Sequence, residues 1–322
     1  MNLHLLRVFF EVAQRRSFSR AAEALFVSQP AVSKAVRELE RQLGLPLIER
    51  AAPRRHGARA GPGPTEGRGV RLTDGGRALL EHARGIFSLE RAALDDVCAR
   101  VGRERGRLSI GASTTIAGYW IAPYLAALLA RSPAIEVQVR VGNTATIAQA
   151  LVDCEIDVAL VEGAVHDARI EALRWRDEAM GIVVASNDAL ARRRVVDAKM
   201  LDARNWVVRE AGSGTREVGE RLMRAHGIEP ARTIELGSNE GIARAVAAGV
   251  GLALLPESIV RELRATGAVA LVRYPRELPL SRPLYRLLLR ERPASPLASA
   301  FCELLSSVDR NAARGRARCD VK

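Results

Sequence analysis

Apolar residues near the start of the chain recur at helical spacing. Leu5, Val8, Phe9 and Val12 fall on one face of a first helix. Ala21, Ala22 and Leu25 belong to a second, with Ser19 as its candidate cap. A third starts behind Ser28, another capping residue type, with Pro30 suited to its first turn and Gly44 and Pro46 ending it. In this helix Val32, Val36, Leu39 and Leu43 are spaced so that they share one buried face. Gln29, Ser33 and Arg37 then lie together on the opposite face, with Lys34 beside them.

The pattern stops at residues 51–69, where eight of 19 residues are Gly or Pro and four are Arg. That composition cannot build a core, and the segment is expected to be a flexible loop. Val70 and Leu72 read as a short strand, and Thr73 opens a long helix to about Arg103. Along it Leu80, Ala83, Phe87, Glu90, Leu94, Val97 and Val101 form a heptad seam with one misfit, Glu90. Such a stripe either packs on its own domain or pairs two copies of the chain; the polar remainder of the helix favours pairing. From Arg107 onward, candidate strands Leu108–Ala112, Glu136–Val141, Asp157–Val161, Ile182–Ala185, Trp206–Val208, Thr233–Leu236 and Leu252–Leu255 alternate with helical stretches. This alternation predicts an α/β domain with largely parallel sheets.

Charge sharpens the picture of the first segment. The whole chain carries a formal +12, and residues 1–72 hold 13 Lys/Arg against 6 Asp/Glu. A polyanion is the natural partner of such a surface. An exposed helix presenting Gln, Ser, Lys and Arg matches what a major groove accepts: Gln pairs with adenine, Lys reaches guanine acceptors, and Arg37, Arg41 and Arg50 neutralise phosphates. The same residues would also fit an ordinary solvated helix face.

Other chemistries find little support. Cys98, Cys154, Cys302 and Cys319 are far apart and form no C-x-x-C pair, which fits a reducing compartment. Cys154 sits where a helix-ending turn more usually has Gly, and no neighbour stabilises a thiolate there. His4, His56, His82, His166 and His226 form no metal-ligand spacing. The P-loop spacing and the G-x-S-x-G elbow are both absent. A dehydratase would need a carboxylate in a ligand cleft, for which Glu162 and Glu210 are the obvious candidates. With no export signal and no apolar run long enough to span a bilayer, the chain is expected to be cytoplasmic, without a membrane partner, metal or resident cofactor, and not an enzyme.

The segment SFSRAAEALFVSQPAVSKAVRELERQLGLPLIER, followed by VRLTDGG, closely resembles the N-terminal domain of LysR-type transcriptional regulators. The resemblance covers nearly the whole chain. It implies an all-α winged helix-turn-helix (residues 1–72, with 51–69 as an enlarged wing), a linker and dimerisation helix (73–104) and an effector-binding domain (105–322). It also implies a homodimer or homotetramer on double-stranded promoter DNA, with RNA polymerase as a further partner. Carried across, the DNA-touching positions are Ser28, Gln29, Pro30, Ser33 and Lys34, with Arg37 on the backbone. The family normally has only a few residues where this chain has 19. Arg54, Arg55 and Arg59 there either add phosphate or minor-groove contacts or belong to an inert insertion.

Four segments of the α/β part place small polar residues where strands run into helices: Gly111–Thr115, Gly142–Thr144, Glu162–Gly163 and Glu210–Arg216. Ligands of open α/β sheets bind at such ends, where helix N-termini offer free N–H groups. Simple helix capping explains any one of these segments equally well. By the family resemblance, the domain is like periplasmic binding proteins. It has two subdomains, about 107–178 plus 283–322 and about 179–282, with a cleft between them in which Gly212–Arg216 faces Ser113–Thr115. Ser113, Thr114, Thr115, Asn143, Thr144, Glu162, Gly212, Ser213 and Thr215 are the candidate effector-binding residues. Their composition favours an anion. ASTTI, VGNT, VEG and REAGSGTRE resemble the family branch tied to sulfur assimilation and sulfite reduction, so an inorganic oxyanion or a small organic acid is the expected effector.

Overall fold

The structure, a computed structural model, describes residues 2–49, 70–100, 106–193, 195–274 and 280–306. The chain divides into two units, Met1–Glu90 and Arg91–Lys322. Arg50 and the insertion at 51–69, with Arg54, Arg55 and Arg59, lie outside the described residues. So do Val101, Cys319 and the chain beyond residue 306.

The first unit opens with α1 (Leu3–Arg15), α2 (Phe18–Ala24) and α3 (Gln29–Leu43), and takes in the start of α4 (Asp74–Arg100). Asn2 and Ser17 cap α1 and α2 through their side chains, so the cap of the second helix is Ser17 and Ser19 lies in its first turn. The apolar faces meet in two small cores. Val8, Val12, Ala21, Ala22, Val32 and Val36 form one. Leu6, Phe9, Ala13, Leu39, Leu47, Ala83 and Phe87 form the other. Leu43, expected on the buried face of α3, is 36% exposed because the helix ends there at Gly44, φ 71°.

Between α3 and α4 the chain is pinned at several points. Glu40 Oε1 accepts from the N–H groups of Leu47 (2.8 Å) and Ile48 (3.2 Å). Ile48 and Leu72 form an antiparallel bridge, so the predicted strand at 70–72 is a single pairing. The Thr73 hydroxyl donates to the Pro46 carbonyl at 2.7 Å and accepts from Gly76 N–H at 3.0 Å. A Cβ on Gly76 would sit 2.0 Å from the Leu47 carbonyl oxygen, so only glycine lets α4 approach this segment.

The α4 seam splits. Ala83 and Phe87 are buried in the first unit's own core, with Leu80 packed against it. The misfit Glu90 pairs with Arg7, whose guanidinium lies 4.2 Å over the Phe87 ring. Farther along, Leu94 and Val97 are 61% and 59% exposed, and Leu89 off the seam 51%. The two readings of the seam therefore hold for different stretches: Ala83 and Phe87 complete a local core, while Leu94 and Val97 are exposed.

The second unit runs β1 (Arg107–Ser113), α5 (Thr114–Tyr119), α6 (Ala122–Arg131), β2 (Glu136–Gly142), α7 (Thr144–Val152), β3 (Val158–Glu162) and β4 (Ile170–Ala185). It continues with α8 (Ala198–Leu201), β5 (Asn205–Val208), α9 (Gly214–His226), β6 (Arg232–Glu235), α10 (Asn239–Ala247), β7 (Ala253–Pro256), α11 (Glu257–Ala265), β8 (Val269–Val272) and β9 (Ser281–Leu289). A further helix spans residues 296–306. The sheet order is β2-β1-β3-β9-β4-β7, with β8 also on β4, and β5 pairs β6 apart from it.

The sheets are mixed rather than largely parallel. β1 pairs in parallel with β2 and β3, and β5 with β6, but every pairing of β4 and β9 is antiparallel. β4 is 16 residues long: its first half, Ile170–Ala179, pairs with β9, and Met180–Ala185 pair with β7 and β8. β4 and β9 are thus the two strands that join two lobes.

Strand alternation gives each lobe two cores. In the first lobe Leu108, Ile110, Val158 and Leu160 face α5, α6 and helix 296–306, while Ala159 and Val161 face α7. In the second, Ile182, Val184 and Leu254 face α9, and Val183, Ala253 and Leu255 face α10 and α11. No helix among the described residues is long and apolar enough to cross a membrane.

Candidate functional site

The outer face of α3 is open. Val32, Val36 and Leu39 are buried, and Ser28, Gln29, Pro30, Lys34 and Arg37 are exposed with Ser33 half-buried. The helix rule that buries three apolar residues therefore turns four polar residues, Ser28, Gln29, Lys34 and Arg37, outward. Ser28 occupies the N-cap position of α3 but makes no side-chain cap bond, so its hydroxyl is free of the helix backbone. Arg37 Nη2 donates to the Ser33 hydroxyl at 3.0 Å, one turn away. On the same helix the Arg41 guanidinium, helped by the Gln42 amide, draws the Glu38 carboxyl down to about 2. Glu38 therefore stays ionised and its charge is answered within α3 rather than opposing a phosphate.

In the second unit several of the predicted residues converge on a side chain that sequence reasoning missed. Arg282, the second residue of β9, is fully buried. Its Nε and Nη2 donate to Glu178 Oε2 at 2.9 and 2.6 Å, and Nη2 also reaches Glu162 Oε1 at 3.1 Å. Nη1 donates to the Thr215 hydroxyl at 2.7 Å and Nη2 to the Thr115 hydroxyl at 3.1 Å. Asn239, 1% exposed, donates from Nδ2 to both threonines at 3.0 and 3.4 Å, and its Oδ1 has no partner. Glu178 is fixed from its other oxygen by Trp120 Nε1 (2.7 Å) and Ser258 Oγ (2.9 Å). Thr115 and Glu162 come from the first lobe, Thr215 and Asn239 from the second, and Glu178 and Arg282 from the crossing strands.

The remaining predicted residues divide between structural and open roles. Ser113, 1% exposed, caps α5 by accepting from Ile116 N–H at 3.3 Å. Asn143 caps α7 at Thr146 N–H, 2.9 Å, and donates to Glu210 Oε1 at 3.2 Å. For these two the capping reading accounts for the side chain. Thr114 accepts from Arg209 Nη1 at 3.2 Å, and the Thr144 hydroxyl donates to the Glu162 carbonyl at 2.9 Å. Arg209, 2% exposed, grips Glu210 with two bonds of 2.8 Å. Burial works to raise the Glu210 carboxyl, but Arg209 and Asn143 outweigh it and hold it below the usual carboxylate range.

Gly212, φ 83°, accepts from Ala145 N–H at 3.2 Å, which ties the two lobes through backbone. Ser213 is the N-cap residue of α9, 6% exposed, and its side chain makes no cap bond. Beside it a groove of about 440 Å³ is lined by Thr144, Ala145, His166, Gly212, Ser213 and Arg216, among others. The expected facing of Gly212–Arg216 with Ser113–Thr115 is met at Thr215 and Thr115, through Arg282 and Asn239; Gly212 faces Ala145 instead.

Glu178 and Arg282 carry no strand-to-helix signal. Ser238–Asn239, before an apolar helix, repeats the capping pattern of the other four segments and was findable on that ground. Arg282 and Glu178 are charged residues in strands, with nothing local to mark them as buried. Among the described residues no group of three or more His, Cys, Asp or Glu is placed to hold a metal ion.

Residues 3–60 match the model of the bacterial regulatory helix-turn-helix protein, lysR family, and residues 102–310 that of the LysR substrate binding domain. The chain is 29% identical to the HTH-type transcriptional regulator CysL of Bacillus subtilis, over 81% of this chain and 83% of the relative. A full-length OxyR variant of Pseudomonas aeruginosa shares the fold with a TM-score of 0.72 at 24% identity, covering 96% of this chain and 94% of that one. The regulatory domain of CcmR from Synechocystis PCC6803, in complex with 2-PG, matches with a TM-score of 0.59 at 25% identity, covering 63% of this chain and 96% of that one.

Proposed function

The chain belongs to the LysR family of helix-turn-helix regulators, and from that premise we propose how its residues divide the work. It is a DNA-binding transcription regulator with a substrate-binding domain for small-molecule effectors, not an enzyme. In the proposed reading α3 enters the major groove: Ser28, Gln29, Pro30, Ser33 and Lys34 touch the DNA at the turn and the start of the helix, while Arg37 holds the phosphate backbone. The observation that carries it is the outward placement of Ser28, Gln29, Lys34 and Arg37, with Ser33 half-buried among them, above a fully buried Val32–Val36–Leu39 face.

The effector in this reading is a small anion, an inorganic oxyanion or small organic acid, held at the junction of the two lobes. Ser213, uncapped, and the start of α9 line the groove beside His166 and Arg216, with Glu217 and Glu220 also on its wall, and helix N-termini favour negative charge. The complex of the CcmR domain with 2-PG supports a small ligand in a domain of this kind. An effector changes activity only if it binds one arrangement of the protein more tightly than another. The bare Leu94–Val97 half of α4, with Leu89 beside it, is the proposed pairing surface of a homodimer, which would present two reading helices to half-sites about one helical turn apart.

Three outcomes test these assignments. Gln29→Ala and Lys34→Ala each relax base preference at a cost of about 1–3 kcal/mol per lost contact, measured by selection from random duplexes; an unchanged selected site would remove α3 as the reader. Ser213→Ala weakens the response of DNA binding to anions such as sulfite or small carboxylates while leaving urea stability unaltered, since the hydroxyl makes no cap bond; an intact response moves the effector away from α9. Leu94→Glu combined with Val97→Glu yields monomers by analytical ultracentrifugation, whereas persistence of the parental oligomer would assign pairing to another surface.

A further inference from the structure

Helix α2 ends in a turn closed by two backbone hydrogen bonds, Phe26 N–H to the Glu23 carbonyl at 3.2 Å and Val27 N–H to the Ala22 carbonyl at 3.0 Å. The second spans six residues and forces the residue before Val27 into the left-handed region; Phe26 has φ 54°. Glycine or asparagine suits such a position, because a bulky side chain crowds the following carbonyl. Phenylalanine stands here, and it is 95% exposed. Among the described residues nothing packs over the ring to offset the strained backbone. Residues held this way persist where function uses them.

The neighbours of Phe26 say what covers it. Val27 is 45% exposed, and Pro30 and Ala31 at the start of α3 are also exposed, so an apolar strip runs into the same turn that carries Gln29. Lys34 and Arg37 are exposed on the same helix. An occupant must satisfy cations and apolar groups at once while lying against the reading helix. Duplex DNA does so: its phosphates answer the cations, and the thymine C5 methyl is the apolar group displayed on the base edges of the major groove.

We propose that Phe26 reads a thymine methyl group at the edge of each half-site, adding sequence preference to the hydrogen-bonding residues of α3. The inference rests on α3 being the reading helix. It differs from that reading in its chemistry, since it predicts discrimination by a methyl group alone.

The test uses the full chain and a duplex selected from random DNA by the parental protein. Each thymine is replaced in turn by uracil, which removes only the methyl, and affinity is followed by fluorescence anisotropy. The parental protein loses about fourfold at one thymine per half-site, the worth of one buried methyl-sized group. Phe26→Asn binds the parental duplex more weakly, ignores that uracil and unfolds at higher urea, because asparagine tolerates the left-handed turn. Phe26→Leu keeps part of the uracil sensitivity. The proposal is overturned if Phe26→Asn binds as tightly as the parent, or keeps the parent's sensitivity at every thymine, or weakens binding at all duplexes alike. Gln29→Ala on the same duplexes separates the two readings: if it too leaves base preference unchanged, α3 is not the reader; if it relaxes preference while Phe26→Asn is silent, only the present inference falls.

Discussion

A guanidinium taken fully out of water must be paired, and unit 2 is built around that requirement at Arg282. The cation arrives on β9, almost at the end of the domain. Its partners come from four other elements: Glu162 at the end of β3, Glu178 in β4, Thr115 in α5 and Thr215 in α9. Each bond fixes the placement of an element distant in sequence, and together they span both lobes. Breaking such an arrangement from one side leaves buried charge uncompensated, which is far more costly than never having built it. The crossing strands therefore do more than connect: they carry the acid and the base that hold the lobes in register, with Trp120 and Ser258 fixing the acid's other oxygen.

The same network shapes what an effector can meet. Thr115 and Thr215, both expected to face a ligand, are already hydrogen-bond acceptors of Arg282 and Asn239. Ser113 and Asn143 are engaged in capping. The polar groups that remain open cluster at Ser213 and the start of α9, beside the groove. The candidate site is thus a hydrogen-bonded floor, in which the buried Asn239 Oδ1 lacks a partner, with a smaller open rim, the arrangement that gives a ligand site pre-organisation.

How much was legible follows from which signals are local. The three helices of unit 1 and the outward face of α3 followed from apolar spacing, because Val32, Val36 and Leu39 obey the helix period without interruption. Seven strands of unit 2 were found in place because their apolar runs are short and bounded by small residues. The first half of β4 escaped: Arg174, Arg176, Asp177 and Glu178 interrupt it, and its pairing with β9 is antiparallel and long-range. β9 itself holds Arg282, Pro283 and Arg286, which read as loop until a partner strand is known. The α4 seam was visible as a period, but which half is covered depends on Phe9 and Leu39, residues that spacing along α4 cannot reveal. Arg282 was invisible for the deepest reason: burial of a charge is decided entirely by partners 67 to 167 residues away.

Chemical denaturation of Arg282→Met in the full chain tests the central claim most directly. If the guanidinium is what holds the two carboxylates and the two lobes together, the substitution costs about 3–5 kcal/mol in the urea transition of the effector domain. A loss below about 1 kcal/mol, within the range of an ordinary surface change, would contradict the account and leave the lobes held by apolar packing alone.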